Sequence, residues 1–141
     1  MDFEAFLKLL PHSADALALR HVMDVRHESF RSPDDLARRH GVATVLTESD
    51  EYPALFDAQA DRVYTRIMRT EAALPEGCTP QTLDQLAASA QLLCSGGLPD
   101  GMPLREQVQD VPVGPRELFV FFISGAKERA PAAAMAWMQR L

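Results

Sequence analysis

Four short apolar runs, separated by helix signals or loops, constrain the fold of this chain more than any other feature. The runs are residues 22–26, 42–46, 62–68 and 118–123. Each has the length and the β-branched or aromatic content of a strand, although a helical interpretation of 118–124 stays open. Nearly continuous apolar strands that alternate with helices are typical of a parallel sheet covered by helices. The sequence therefore predicts an α/β fold in the order helix, strand, helix, strand, loop, strand, helix, strand, helix.

Proline and glycine mark where the predicted helices begin and end. Thr79 precedes Pro80, a favourable pairing of an N-cap with the first helical position, and Gly96 follows the same apolar stripe. Pro11 ends the first helix because it lacks an N–H and clashes with the preceding turn. Gly41 is able to end the second helix in the left-handed conformation. The predicted helices cover residues 3–10, 33–40, 80–93 and 131–141.

Size and charge limit the class of protein. A chain of 141 residues is long enough for a single core, so we expect one domain over residues 1–141. Its longest apolar run is too short to span a bilayer, and a net charge of −6 opposes binding to nucleic acid or anionic lipid. The acidic N-terminus does not read as a secretory signal. These features predict a cytoplasmic protein with no membrane or nucleic-acid partner, in which Cys78 and Cys94 are reduced.

Residues 95–114 are rich in glycine and proline and long for a loop in a compact domain. They are predicted to form a loop or an insertion within the single domain. Because glycine and proline oppose regular hydrogen-bonded structure, a protease is expected to cut here first, before it cuts the helix at 80–93.

Several segments resemble the YecE-like family of barrel proteins, whose biochemical function is not established. Residues 24–30, Asp-Val-Arg-His-Glu-Ser-Phe, are similar to the family's run of a carboxylate, a residue, arginine and histidine, followed by a serine before an aromatic. Residues 3–11, 40–49, 63–66 and 121–131 resemble neighbouring family segments in the same order. The resemblance implies a TIM-type (β/α)8 barrel in which this chain corresponds to the second half, with four parallel β/α units.

The chain departs from the family at positions that bear polar groups. Asp24 stands where the family has glutamate, and Met68 with Arg69 replaces a histidine and a glycine. Ser124 and Ala133 replace asparagines. The resemblance therefore does not imply that this chain has the family's complete set of polar residues.

Two predicted strands carry candidate ligand-binding groups at alternate positions. Asp24 and Arg26 point to one side of their strand, and Tyr64 and Arg66 to one side of theirs. In a barrel these sides face the interior, and barrel sites lie at the carboxyl ends of strands. Two guanidiniums, a carboxylate and a phenol there are suited to a small anionic ligand. The alternative is an internal ion pair that satisfies buried charge.

Candidate catalytic groups are Asp24, His27 and Tyr64, with Arg26 and Arg66 as ligand-binding residues. Histidine is a residue type suited to acid–base work, so His27 is a candidate, although a hydrogen-bonding histidine is the alternative. Glu48 and Asp50 follow the second strand and are either an acid–base pair or solvated loop charges. The histidines lack metal-ligand spacing, and nucleotide-binding and hydrolase motifs are missing from the sequence, so neither a metal nor a cofactor is predicted.

Two functional hypotheses follow. The chain is a non-catalytic remnant or interaction module, or it is an anion-binding or catalytic half-barrel whose site a second half completes. Whether it is an enzyme stays open. Half a barrel leaves two strand edges unpaired, so we expect a homodimer or pairing with a second barrel half.

Overall fold

The computed structural model describes residues 2–31, 36–58, 60–104, 114–123 and 125–141. It confirms an α/β fold in which the main sheet has four parallel strands, joined side by side in chain order. The strands are β1 (Ser13–Ala14), β2 (Leu17–Ala18), β3 (His21–Met23), β4 (Val42–Glu48), β5 (Arg62–Ile67) and β6 (Glu117–Phe122), and the helices are α1 (Phe3–Lys8), α2 (Leu36–Arg39), α3 (Pro80–Cys94) and α4 (Ala130–Met138).

The strand order decides where the helices lie. Right-handed crossovers that always step in the same direction across a sheet place their connecting segments on one face. Along β6, Leu118, Val120 and Phe122 face the helices, and the Phe122 ring lies 6.2 Å from Trp137 of α4. The opposite face, here called the open face, carries the alternate side chains of the same strands. Its residues include Val22, Asp24, Val45, Tyr64, Arg66, Phe119 and Phe121.

Helix α3 forms where the sequence predicts it. The Thr79 hydroxyl accepts a hydrogen bond from the Thr82 N–H at 3.1 Å, which caps the helix before Pro80. Leu83 and Leu93 are buried on one face together with two alanines, and this face packs towards the sheet and α4. The apolar stripe and the cap therefore fix this element locally.

The connection between β4 and β5 contains no helix in its described residues, as predicted. Leu55 and Phe56 turn inward and are fully buried in place of a helix. The Thr44 hydroxyl donates to the Leu55 carbonyl at 3.2 Å, which ties this connection to β4. Phe56 also forms an isolated bridge with Leu104.

The chain between Pro11 and β3 folds into a two-stranded hairpin that no sequence pattern predicts. Asp15 and Ala16 form its turn with φ of +49° and +65°. Two-residue turns of this kind favour Asn-Gly or Asp-Gly, so alanine gives no signal for one. The following strand, β3, is also shorter than the predicted 22–26, since Asp24 already lies beyond it.

Ala16→Gly is expected to raise the unfolding free energy by about 0.5–1 kcal/mol. The left-handed conformation costs a residue with a Cβ about 1–2 kcal/mol, and the extra freedom of glycine in the unfolded chain offsets part of the gain. Urea denaturation measures the change. Ala18→Gly, in the extended strand β2, is the matched control and should destabilise. Equal losses in both variants would show that the turn carries no strain.

The remaining predicted elements differ from the structure only at their ends. Helix α2 is described from Leu36, and the predicted cap at Ser32 lies outside the described residues. Residues 117–122 form a strand and not a helix. Of the predicted loop at 95–114, residues 105–113 are outside the described part, so its assignment stays a prediction. None of the helices in the described ranges combines the length and hydropathy that crossing a membrane requires.

Arg116 joins three parts of the chain from a buried position just before β6. Its guanidinium donates to the carbonyls of Ala58 at 3.0 Å, Gly97 at 2.8 Å and Leu93 at 3.3 Å. Burial lowers the pKa of this guanidinium. One charged side chain thus holds the end of α3, the residues after it and the β4–β5 connection together.

Candidate functional site

Asp24 lies at the carboxyl end of β3 and binds two arginines. One carboxylate oxygen, Oδ2, accepts from Arg66 of β5 and from Arg26 Nη2, the latter at 3.0 Å. The other oxygen, Oδ1, accepts from the Thr47 hydroxyl of β4 at 3.3 Å. Side chains from three neighbouring strands or their ends thereby meet on the open face, because alternate residues of each strand point the same way.

The predicted convergence of Asp24, Arg26 and Arg66 is therefore present in the structure. Its surroundings form a hollow of about 360 Å³ on the open face. Tyr64 lines the same hollow, and its ring stacks on Phe121 at 4.6 Å and on Phe119 at 6.2 Å between centroids. Tyr64 is thus held by aromatic packing and forms no hydrogen bond to Asp24 within the described residues.

Arg26 has a second contact that sequence reasoning missed. Its guanidinium carbon lies 4.5 Å from the centre of the Tyr52 ring, in a cation–π arrangement. The hydrogen bond and charge of Asp24 raise the pKa of Arg26, so this group stays a cation at any ordinary pH. Tyr52 comes from the β4–β5 connection, and nothing in its local sequence indicates the contact. The sequence does indicate the position of Thr47, because residues two apart in a strand share one face and Thr47 therefore lies on the same face of β4 as Val45.

His27 does not join this cluster. Its Nδ1 accepts a hydrogen bond from the Ser29 N–H at 3.1 Å and lies 2.9 Å from the Ser29 hydroxyl. The histidine therefore closes a local turn just before a short 3₁₀ segment at Glu28–Arg31. This geometry favours the hydrogen-bonding alternative over a general acid or base.

The cluster carries an excess of positive charge. One carboxylate faces two guanidiniums, and the Arg26 side chain is 45 % exposed, so its remaining donors reach solvent. Arg66 is more enclosed and is oriented by its pair with Asp24. The exposed Arg26 can bind a small anion, and the more enclosed Arg66 adds positive charge nearby. The same arrangement also neutralises the charge of Asp24 without any ligand.

Glu48 and Asp50 separate in the structure. Glu48 points to the helix side, into a cleft of about 60 Å³ between the sheet and α3 that Trp137 also lines. Burial raises the pKa of Glu48, and the nearby Arg69 opposes the shift. Asp50 is exposed and pairs with Arg69 at 3.1 Å. The two carboxyl groups therefore do not form an acid–base pair.

Glu48→Gln is expected to stabilise the protein at neutral pH and to have little effect near pH 4. A folded-state pKa above the ordinary 4.5 means that the folded chain holds its proton more tightly. Stability from this group is therefore present below pH 4.5 and is lost as the pH rises through the raised pKa. Thermal melts across this range measure the difference. Glu51→Gln, in an exposed loop nearby, is the control, and an equal pH profile for both variants would contradict the assignment.

No cluster of three or more potential metal ligands occurs in the part of the chain that the structure describes. The sequence-based expectation that neither a metal nor a cofactor is used stays a prediction. Cys78 is buried and Cys94 exposed, and both are free thiols. Burial and the neighbouring Glu71 and Glu48 raise the pKa of Cys78, which makes its thiolate scarce at neutral pH.

Comparison with protein families gives one match over the whole chain. The family model described as protein of unknown function DUF72 matches residues 1–141. This family is the YecE-like family identified from sequence, so the resemblance is confirmed at family level. No curated protein and no solved structure matches the chain.

Proposed function

We propose that this chain, which belongs to the family described as protein of unknown function DUF72, is a non-catalytic interaction module. In this proposal it represents the second half of a (β/α)8 barrel, and a second copy of the chain completes the barrel. The activity would then be self-association through the open face and the two outer strands of the sheet.

The observation that carries this proposal is the pair of unpaired sheet edges. Strand β3 pairs only with β4, and β6 only with β5, within the described residues. Each edge presents backbone N–H and C=O groups that favour pairing with another strand. A two-fold axis parallel to the strands sets β3 of one copy beside β6 of the other. All strands then stay parallel, and both edges close at once.

The composition of the open face also favours a second copy of the chain as the partner. Phe119 and Phe121 are each 39 % exposed, and Val22 and Val45 line the hollow beside them. In a complete barrel such side chains fill the interior in layers with those of the opposite strands. A face of this composition is more stable when covered, because burial of apolar surface contributes about 25 cal/mol per Å².

Analytical ultracentrifugation at micromolar concentration tests the association. We expect a species of twice 15.6 kDa for the unmodified chain. Phe121→Asp should shift the chain to monomer, because it places a charge in the closed interior. Met135→Asp is the matched control, since Met135 is exposed on α4, on the helix side of the sheet. A folded, soluble species of 15.6 kDa for the unmodified chain would overturn the proposal.

A second candidate function is the binding of a small anion, and the excess of positive charge around Asp24 favours it. Inorganic phosphate is the probe, with thermal shift as the measurement, because a ligand of the native state raises the melting temperature. Arg26→Ala and Arg66→Ala should each weaken the shift, whereas Lys8→Ala on α1 should leave it unchanged. Unaltered affinity in both arginine variants would place any anion site elsewhere.

A further inference from the structure

We infer that Arg20 and Glu117 are a charge pair exchanged between two copies of the chain, with Arg20 of each copy facing Glu117 of the other across the β3–β6 seam. This inference rests on the proposed self-association. It adds the two residues that select a second copy of the chain as the partner and that fix the register in which the two copies pair.

The two residues occupy the opposite edges of the sheet. Arg20 immediately precedes β3, and Glu117 is the first residue of β6. Within one chain they form an ion pair on the open face, although 97 residues separate them in sequence. Three strand spacings, about 14 Å measured along the curved sheet, separate β3 from β6, so the two side chains meet across β4 and β5.

An in-chain pair of this kind contributes little to stability. The Arg20 and Glu117 side chains are 46 % and 57 % exposed, so water and salt screen their charges. Holding two long side chains in one geometry also costs conformational entropy. The arrangement therefore leaves both groups available for a nearer partner.

The stagger of the sheet shows where that partner lies. The hydrogen-bonded register of the strands aligns Asp24 with Tyr64 of β5, yet the Asp24 side chain pairs with Arg66, which lies two residues further along β5. Glu117 similarly lies further along the chain than the position before β6 that the register aligns with Arg20. An eight-stranded barrel with a shear of about 8 shifts its register by about four residues over half a turn. Continued in this sense, the stagger sets residues 19–24 of one copy beside residues 118–123 of the other.

In that register Arg20 of one copy lies next to Phe119 of the second copy and diagonal to its Glu117. Diagonal neighbours on adjacent strands are within reach of long side chains. The charges then face each other over one strand spacing instead of three, and the closed barrel shields them from solvent. Two-fold symmetry creates this contact twice, so both seams favour the same register.

Trans-complementation tests the exchange. Arg20→Glu places two acidic groups at both seams of a homodimer, and Glu117→Arg places two basic groups there. We expect each variant alone to associate at least tenfold more weakly than the unmodified chain. An equimolar mixture should form a heterodimer of near-normal affinity, because each of its seams holds one acidic and one basic residue. Native mass spectrometry with one variant isotopically labelled identifies the species.

Two further variants complete the design. The double variant Arg20→Glu with Glu117→Arg should form homodimers again. Arg140→Glu and Asp84→Arg alter an ion pair of the helix layer, 2.7 Å apart, and should leave association unchanged. If both single variants dimerise normally, or if their mixture stays monomeric while the unmodified chain dimerises, the inference is wrong and self-association stands. A monomeric unmodified chain would overturn both.

Discussion

Arg116→Met is expected to lower the unfolding free energy by about 3 kcal/mol. The substitution removes a guanidinium that donates to three main-chain carbonyls. Those of Ala58 and Gly97 are left without a donor in a place largely closed to water, whereas the Leu93 carbonyl still accepts from the Gly96 N–H. A buried acceptor left without a donor costs about 1 kcal/mol or more. Burial of the cation is itself unfavourable and lowers the pKa of Arg116. The methionine variant no longer has this cost, which offsets part of the loss. The remainder is still a large share of a typical domain's stability of about 5–15 kcal/mol.

Urea denaturation followed by circular dichroism measures this effect. Arg116→Lys keeps the charge but has a single donor group, so it should fall between the methionine variant and the unmodified protein. Arg69→Met is the matched control, because that arginine is half exposed and makes surface contacts. A loss in Arg116→Met no greater than in Arg69→Met would show that the Ala58 and Gly97 carbonyls find other donors.

Asp24→Asn is expected to strengthen phosphate binding about tenfold while it destabilises the fold. The carboxylate neutralises one of two adjacent guanidiniums, and its removal raises the charge of the cluster by one unit. At about 5 Å and an effective dielectric constant of about 40, one unit charge is worth about 1.7 kcal/mol to a bound anion. Loss of the ion pairs lowers the stability by about 1–2 kcal/mol, since Asp24 is partly exposed.

Isothermal titration with inorganic phosphate separates the two effects. Asp50→Asn changes the net charge of the chain by the same amount at an exposed site, and it should leave phosphate affinity unchanged. If Asp24→Asn destabilises the fold without any gain in affinity, the cluster around Asp24 is an internal ion network and not an anion site.

Elements with a local cap or a regular apolar pattern could be predicted from the sequence. The Thr79 cap, the apolar stripe of α3 and the alternation along β5 each act within one element, so their meaning does not depend on distant residues. The convergence of Asp24, Arg26 and Arg66 could also be predicted, because parallel strands bring their carboxyl ends to one edge.

Other features depend on contacts that no local pattern encodes. Arg116 reads as a surface charge beside a strand, and only the packed structure shows the carbonyls that surround it. The pairing of Arg20 with Glu117 likewise requires the curvature of the whole sheet. The hairpin escaped prediction because its turn uses Ala16 in a conformation that normally selects glycine.

The two ends of segment 95–114 lie against each other, and this decouples the length of the segment from the fold. A Cβ on Gly96 would lie 2.5 Å from the Gly114 carbonyl oxygen, so the backbones are in direct contact there. The Arg116 N–H also donates to the Cys94 carbonyl at 3.1 Å, which fastens the same junction. Closure of a loop grows costlier only with the logarithm of its length. The bridge between Phe56 and Leu104 fixes the part of the segment up to Leu104, so residues or a whole domain inserted after Leu104 should leave α3 and β6 in their positions.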